Sequence, residues 1–151
     1  MLSKNYKPQE DIMGNRCLIA FKEKKSKKKK EEVPCIYLHW NGGRDSVEAF
    51  LKATKMLGVR KNDQSYSMAR LTQVIANWLG GTLSIGVSSV GDWALDFLDN
   101  GVYWVDGLEI YDRTDLPYED FEEQNNHDQL VLIKEIIEAN KPMLEETDEV
   151  V

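Results

Sequence analysis

The sequence predicts an α+β fold: a small antiparallel sheet with two central helices packed on it and a C-terminal helix. Three observations carry that expectation. Apolar runs of strand length stand on both sides of a central block, and the block holds two segments with apolar residues at helical spacing. A third helical pattern follows near the end of the chain. Strands grouped around helices, rather than alternating with them, favour antiparallel pairing under a helical layer.

Residues 1–14 form a polar lead-in that ends at Gly14. Cys17-Leu18-Ile19-Ala20-Phe21 and Pro34-Cys35-Ile36-Tyr37-Leu38-His39-Trp40 are the first two strands. Between them, Lys22–Glu32 holds seven lysines and no apolar residue, which predicts a hairpin with a long solvated tip. A helix follows, with Val47, Phe50, Leu51, Thr54 and Leu57 inward, Asp45 and Glu48 at capping-box spacing and Gly58 as its stop. A second helix is capped by Ser67, buries Met68, Leu71, Ile75, Trp78 and Leu79, and ends at Gly80-Gly81. Thr82–Ser89 alternates as a strand, with Leu83, Ile85 and Val87 on one face. Trp93–Leu98 fits a helical turn or a strand equally well. After the turn Asp99-Asn100-Gly101, Val102–Val105 and Leu108–Tyr111 form a hairpin around Asp106-Gly107, a type I′ signal. Thr114–His127 is acidic and irregular, and Asp128–Asn140 is a third helix whose stripe is Leu130, Ile133, Ile136 and Ile137. Pro142 ends that helix.

The chain has 151 residues, enough for one core. It divides into a lead-in (1–14), a ligand-binding α+β body (15–114, with the lysine tip at 22–32) and an acidic region with the C-terminal helix (115–151). The net charge of −7 hides an asymmetry. Residues 115–151 carry twelve acids and two lysines, whereas residues 1–114 carry fourteen acids and seventeen bases. A mildly basic body can attract an anionic small molecule. Apolar runs are too short to span a membrane, and the N-terminus lacks a signal-peptide core, so a soluble cytosolic protein is expected. Cys17 and Cys35 make neither a disulfide framework nor a metal site, and read as reduced, half-buried strand residues.

The chemistry concentrates at His39-Trp40-Asn41-Gly42-Gly43-Arg44, which joins a strand end to a helix start. A helix N-terminus offers unbonded N–H groups, glycines allow close approach, and arginine binds phosphate bidentately. A tight turn with a solvated Arg44 explains the same residues equally well. Arg70, Arg113 and Asn100 are further polar groups that can converge on an anion, and Trp40, Trp93 and Trp104 stand at strand ends or turns where rings stack on bases or subunits meet. His39 and His127 are the only histidines, and neither sits in a triad or metal-ligand pattern; His39 reads as structural. Asp92, Asp96 and Asp99 have the spacing of a solvated face as much as of a carboxylate cluster. No catalytic residues, metal site or cofactor are expected.

The segments Cys35–Glu48, Ala69-Arg70-Leu71, Gly80–Gly86 and Asp99-Asn100-Gly101 resemble small phage-encoded proteins carrying a His-Trp-(Asn/Asp)-Gly motif, and most of all the first family of Thoeris anti-defence proteins. The resemblance covers about residues 16–113 and leaves out the lysine tip and the acidic C-terminal region. It implies a sponge in the host cytoplasm that binds cyclic ADP-ribose-type immune signals without cleaving them. It also implies homo-oligomers, from dimer to hexamer, with pockets between subunits; in some members cyclic di- or trinucleotides occupy separate sites. Membranes, DNA and RNA are not expected partners. For such a ligand, Trp40 or Trp104 would stack on the base, Arg44, Arg70 and Arg113 would hold phosphate, and Asn41 or Asn100 would reach the sugar. Gly42 and Gly43 would admit it to the backbone. The competing readings are an acidic inhibitor that binds a host defence protein directly, and an enzyme that degrades the nucleotide.

Overall fold

Five successive residues without a polar side chain, Cys17–Phe21, suit a strand covered on both faces, and β1 (Cys17–Phe21) is the central strand of a five-stranded sheet. The computed structural model describes residues 14–80, 84–95, 98–114 and 126–141. In chain order β1 is followed by β2 (Pro34–Leu38), α1 (Arg44–Met56), α2 (Gln64–Leu79), β3 (Ile85–Ser89), β4 (Val102–Asp106), β5 (Glu109–Thr114) and α3 (Asn126–Ala139). The sheet order is β3-β2-β1-β4-β5, and the fold is α+β with a C-terminal helix. The lead-in 1–13, Leu83, Asp96, the acidic stretch 115–125 and residues 142–151 lie outside the described residues.

The sheet is mixed rather than antiparallel. β1 pairs with β2, β2 with β3, and β4 with β5 antiparallel, but β1 and β4 run parallel, Leu18 opposite Val102. The reason is the segment 90–98, ambiguous in the sequence. After β3 the chain turns through a 3-10 helix, Val90–Asp92, and buries Val90 and Leu98 against the sheet face opposite α1 and α2. It thus re-enters the sheet in the direction of β1.

Two cores result. Ile19, Phe21, Ile36, Leu38, Tyr103 and Val105 face the helices, meeting Val47, Phe50, Leu71 and Ile75. Leu18, Ala20, Cys35, Val102 and Trp104 fill the opposite face under Val90 and Leu98. Each fully buried aliphatic side chain contributes roughly 1.5–3 kcal/mol. α3 joins the first core through Ile133 and Ile136.

Several local expectations are corrected. The N-cap of α2 is Asp63, which accepts from the Tyr66 N–H at 3.1 Å; Ser67 is buried and donates to the Asp63 carbonyl. The N-cap of α1 is Gly43, with no side-chain cap, and Glu48 turns to Arg44 instead of closing a capping box. The β4–β5 turn sits one residue later than predicted: Asp106 pairs with Glu109, and Gly107 and Leu108 both have φ of 62°. A leucine in that region is strained, and its full burial in the core holds it there. On α3, Leu130 is exposed and Gln129 takes the inward place. Trp78 and Leu79 do pack against the core, Trp78 on Phe50, while staying half-buried, and Val74 is fully enclosed beside them. Among the described residues no helix is long and apolar enough to cross a membrane.

Candidate functional site

The start of β1, the end of β2, the starts of β3 and β4, the end of β5 and the N-terminus of α1 all meet at one end of the sheet. The strand directions force this: β2 and β5 run opposite to β1, β3 and β4. Trp40, Asn41, Gly42, Gly43, Arg44, Asn100 and Arg113 are thereby assembled from segments far apart in sequence.

Backbone bonds tie the loops together. Asn15 N–H donates to the His39 carbonyl at 2.8 Å, and Gly42 N–H donates to the Asn15 carbonyl at 2.8 Å. The buried Tyr103 hydroxyl donates to the Gly42 carbonyl at 2.6 Å. Both polar groups of Gly42 are therefore used in packing, and a Cβ there would meet the Asn15 carbonyl oxygen at 2.4 Å. Gly42 is a packing glycine and offers no backbone group to a ligand. Gly43 is different: a Cβ would meet only the Asn15 side chain, at 3.8 Å. Gly43 supplies no capping side chain, and the first turn of α1 begins at this end. Asn41 takes φ of 62°, a conformation asparagine tolerates better than most residues, and so turns the chain between Trp40 and Gly42.

The arginines are oriented by the protein itself. Arg113 lies opposite Tyr103 in the strand register and stacks over its ring, with the guanidinium carbon 3.9 Å from the ring centre. Its Nη2 donates to the Asn100 carbonyl at 2.8 Å. Asn100 in turn donates to the Arg16 carbonyl from its backbone and its side chain, and to the Asn15 side chain. Glu48 holds the Nε edge of Arg44 at 2.9 Å. Arg16, which the sequence reading missed, binds Asp99 through its backbone N–H (2.9 Å) and its Nε (3.0 Å). Burial pushes the Asp99 carboxyl up, but the Arg16 bonds outweigh it and hold the group below its ordinary value of 3.8. The only sequence sign of this latch was a polar Asn15-Arg16 pair directly before an apolar strand.

The aromatic residues form a row from the second core to the rim. Tyr37 stacks on Trp93 with ring centres 4.3 Å apart, its hydroxyl meets His39 Nδ1 at 2.8 Å, and His39 meets the Trp40 ring edge-on at 5.2 Å. The His39 ring, expected to bond to backbone, meets the Tyr37 phenol instead. Burial raises the Tyr37 hydroxyl above its ordinary value of 10.0, with Arg16 opposing, so it stays protonated beside His39. Trp40, 39% exposed, stands at this end.

Two predicted residues lie elsewhere. Trp104 is 2% exposed in the second core, donates to the Thr114 hydroxyl at 2.6 Å and is covered by Lys30, so it cannot stack on a ligand base. Arg70 stands on α2, bonded to Gln73 and packed with Arg60 over Tyr66. Asp92 closes the 3-10 turn by accepting from the Ser89 N–H, and the His127 side chain lies outside the described residues. Among the described residues no three histidine, cysteine or acidic side chains are grouped as metal ligands would be.

A cavity of about 800 Å³ lies at the opposite end. It opens between the lysine tip, α2 and β3, lined by Phe21, Lys22, Lys28, Gln64, Met68 and Val87 among others. Its volume suits a nucleotide, but its one aromatic lining residue, Phe21, is buried and it contains no arginine. The strand end, with Trp40, three arginines and a helix N-terminus, matches nucleotide chemistry better. Comparison with protein-family models, with curated proteins and with solved structures finds no match.

Proposed function

We propose that the chain sequesters a cyclic ADP-ribose-type nucleotide signal at the strand end and releases it unchanged, as an anti-defence sponge acting in the host cytoplasm. The observation that carries this reading is that the strand directions bring the segments of Trp40, Arg44, Asn100 and Arg113 to the same end of the sheet as the start of α1, whose N-cap is Gly43. An indole face suits adenine, guanidinium groups and helix amides suit a pyrophosphate, and asparagines suit ribose hydroxyls. Arg113 and Arg44 are held by Tyr103 and Glu48 before any ligand arrives, which lowers the ordering cost of binding. A second copy completes the pocket in this reading; exposed Leu130 and Val131 on α3 give apolar surface for subunit contact.

The test is recovery. The protein is incubated with cyclic ADP-ribose isomers, washed, heated, and the supernatant is separated by chromatography. The full amount of unchanged nucleotide is expected. A new product would replace sequestration with catalysis. No retained nucleotide, with cyclic di- and trinucleotides also failing, would transfer the argument to a protein target for the acidic region.

A further inference from the structure

The two edges of the sheet are finished differently. β5, on one edge, carries Glu109, Asp112 and Arg113, and the register of its pairing with β4 shifts between Trp104 and Val105. Charges and bulges of this kind keep an edge strand from pairing with another chain. β3, on the other edge, reads Ile-Gly-Val-Ser-Ser, with no charge, no proline and an even register against β2. Its ladder also fixes where its backbone points. At one end the Ser84 carbonyl accepts from the His39 N–H, and at the other the Val90 N–H donates to the Val33 carbonyl. Bonded pairs alternate in an antiparallel ladder, so Gly86 and Ser88 face β2 while Ile85 and Val87 turn their N–H and C=O groups outward. No described residue bonds to those outward groups, and Val87 is 62% exposed.

The open edge borders the groove of about 800 Å³, where Val87 lies with Met68 of α2 and with Lys22 and Lys28 of the tip. The tip is held by its own bonds: the Ser26 N–H donates to the Glu23 carbonyl, the Lys28 N–H to the Ser26 hydroxyl, and Lys22 Nζ to the Ser26 carbonyl. Residues 22–30 contain seven lysines and one acid, Glu23, and none of these lysines forms an ion pair with a described carboxylate. Gln64 Nε2 donates to the Val105 carbonyl, while its buried Oε1, in the groove wall, has no donor among the described residues. An incoming peptide brings N–H donors, which a buried acceptor of this kind requires. Charge selects the occupant. A second copy would bring another lysine tip of the same sign, whereas an acidic strand is attracted to the one present. We propose that the β3 edge is a docking site for an extended acidic segment of a partner protein. The segment adds as a further strand beside β3, with apolar side chains over Val87 and Met68 and carboxylates toward the lysine tip. This site lies at the other end of the sheet from the strand-end face and does not depend on the nucleotide reading.

The probe is the peptide Asp-Val-Glu-Val-Asp-Val-Glu-amide, titrated into the full chain with an N-terminal fluorescein for anisotropy and unlabelled for amide signals of ¹⁵N-labelled protein. Saturable binding is expected, with signal shifts centred on Ile85, Val87 and the first turns of α2. Lys27 and Lys28 are exposed, so K27E/K28E keeps the fold. Affinity should fall tenfold or more in that variant, and as much for a peptide with lysine in place of every acid. Two N-methylated peptides separate strand addition from attraction by charge alone. Methylation of either the valines or the acids removes alternate N–H groups, and only one of those sets faces β3. One methylated peptide should therefore bind nearly as well as the parent and the other at least tenfold more weakly. No saturable binding, shifts centred elsewhere, or equal affinity for the two methylated peptides overturns the proposal. Unchanged affinity in K27E/K28E overturns the lysine tip as the selecting charge. Shifts at Ile85 and Val87 that grow with protein concentration, without peptide, overturn the foreign partner, because a second copy then pairs at this edge.

Discussion

Gly42 and Gly43 are neighbours with opposite roles, and substitution should separate them. Gly42→Ala would push a methyl group into the Asn15 carbonyl, with backbone on both sides of the clash. A loss of about 1–3 kcal/mol in urea unfolding is expected, together with displacement of the loop that carries Trp40. Gly43→Ala has room at φ of −70° and should keep stability nearly unchanged; if it alone weakens binding, a ligand approaches the backbone there. Arg44→Ala should also leave folding intact, since a half-buried i,i+4 ion pair on a helix surface is worth only about 0.3–0.5 kcal/mol. Nucleotide affinity should fall tenfold or more by titration; unchanged affinity would remove Arg44 from the site. The Gly-Gly pair was visible in the sequence, but its division of labour depends on Asn15, from a distant segment. The tryptophans were exchanged for the same kind of reason. Trp78 has the helical spacing of a core residue yet is half-buried, while Trp104 is enclosed by a segment that no periodicity identifies. Trp104→Ala should cost about 3–5 kcal/mol and Trp78→Ala distinctly less, measured by chemical denaturation.

At the scale of elements, α1 and the strands β1, β2 and β4 were legible, because long apolar runs and a regular helical stripe leave few alternatives. The mixed sheet was not, because the direction of β4 is set by the return of residues 90–98 across the second face. The turn at Gly107-Leu108 was misplaced by one residue because Asp-Gly matches the local rule, whereas burial of Leu108 decides the register. α3 belongs to the fold as a C-terminal helix, and its inward residues lie in the main core with α1 and α2. Ile136→Ala should therefore destabilise the whole chain by about 2–5 kcal/mol in a single unfolding transition. An early second transition confined to α3 would contradict that. For the same reason, deleting residues 115–151 would expose core side chains, and point substitutions in the acidic region give the cleaner test of a protein partner.

At the scale of the molecule, the buried thiols set an alkaline limit. Burial raises both: Cys17 far above the ordinary thiol value of 9.0, and Cys35 to about 11, with the Ser88 hydroxyl opposing and Asp92 adding. Below pH 9.0 folded and unfolded chains both hold these protons, so the full stability is present. As pH rises toward 11 the unfolded chain ionises first and stability falls; Cys35→Ser or Cys35→Ala should flatten that decline in urea midpoints taken across the range. At the acid end the Asp99 latch contributes above 3.8 and is lost as pH falls through and below that value. The strand-end face that this latch braces is where the functional account stands or falls. The most direct measurement is isothermal titration of the intact protein with cyclic ADP-ribose isomers, its concentration expressed per subunit. The account predicts saturable, tight binding with a stoichiometry that reports pockets shared between copies, lost in Arg44→Ala and Arg113→Ala variants that remain folded. Absence of heat with every isomer, or binding that survives both substitutions, would contradict it.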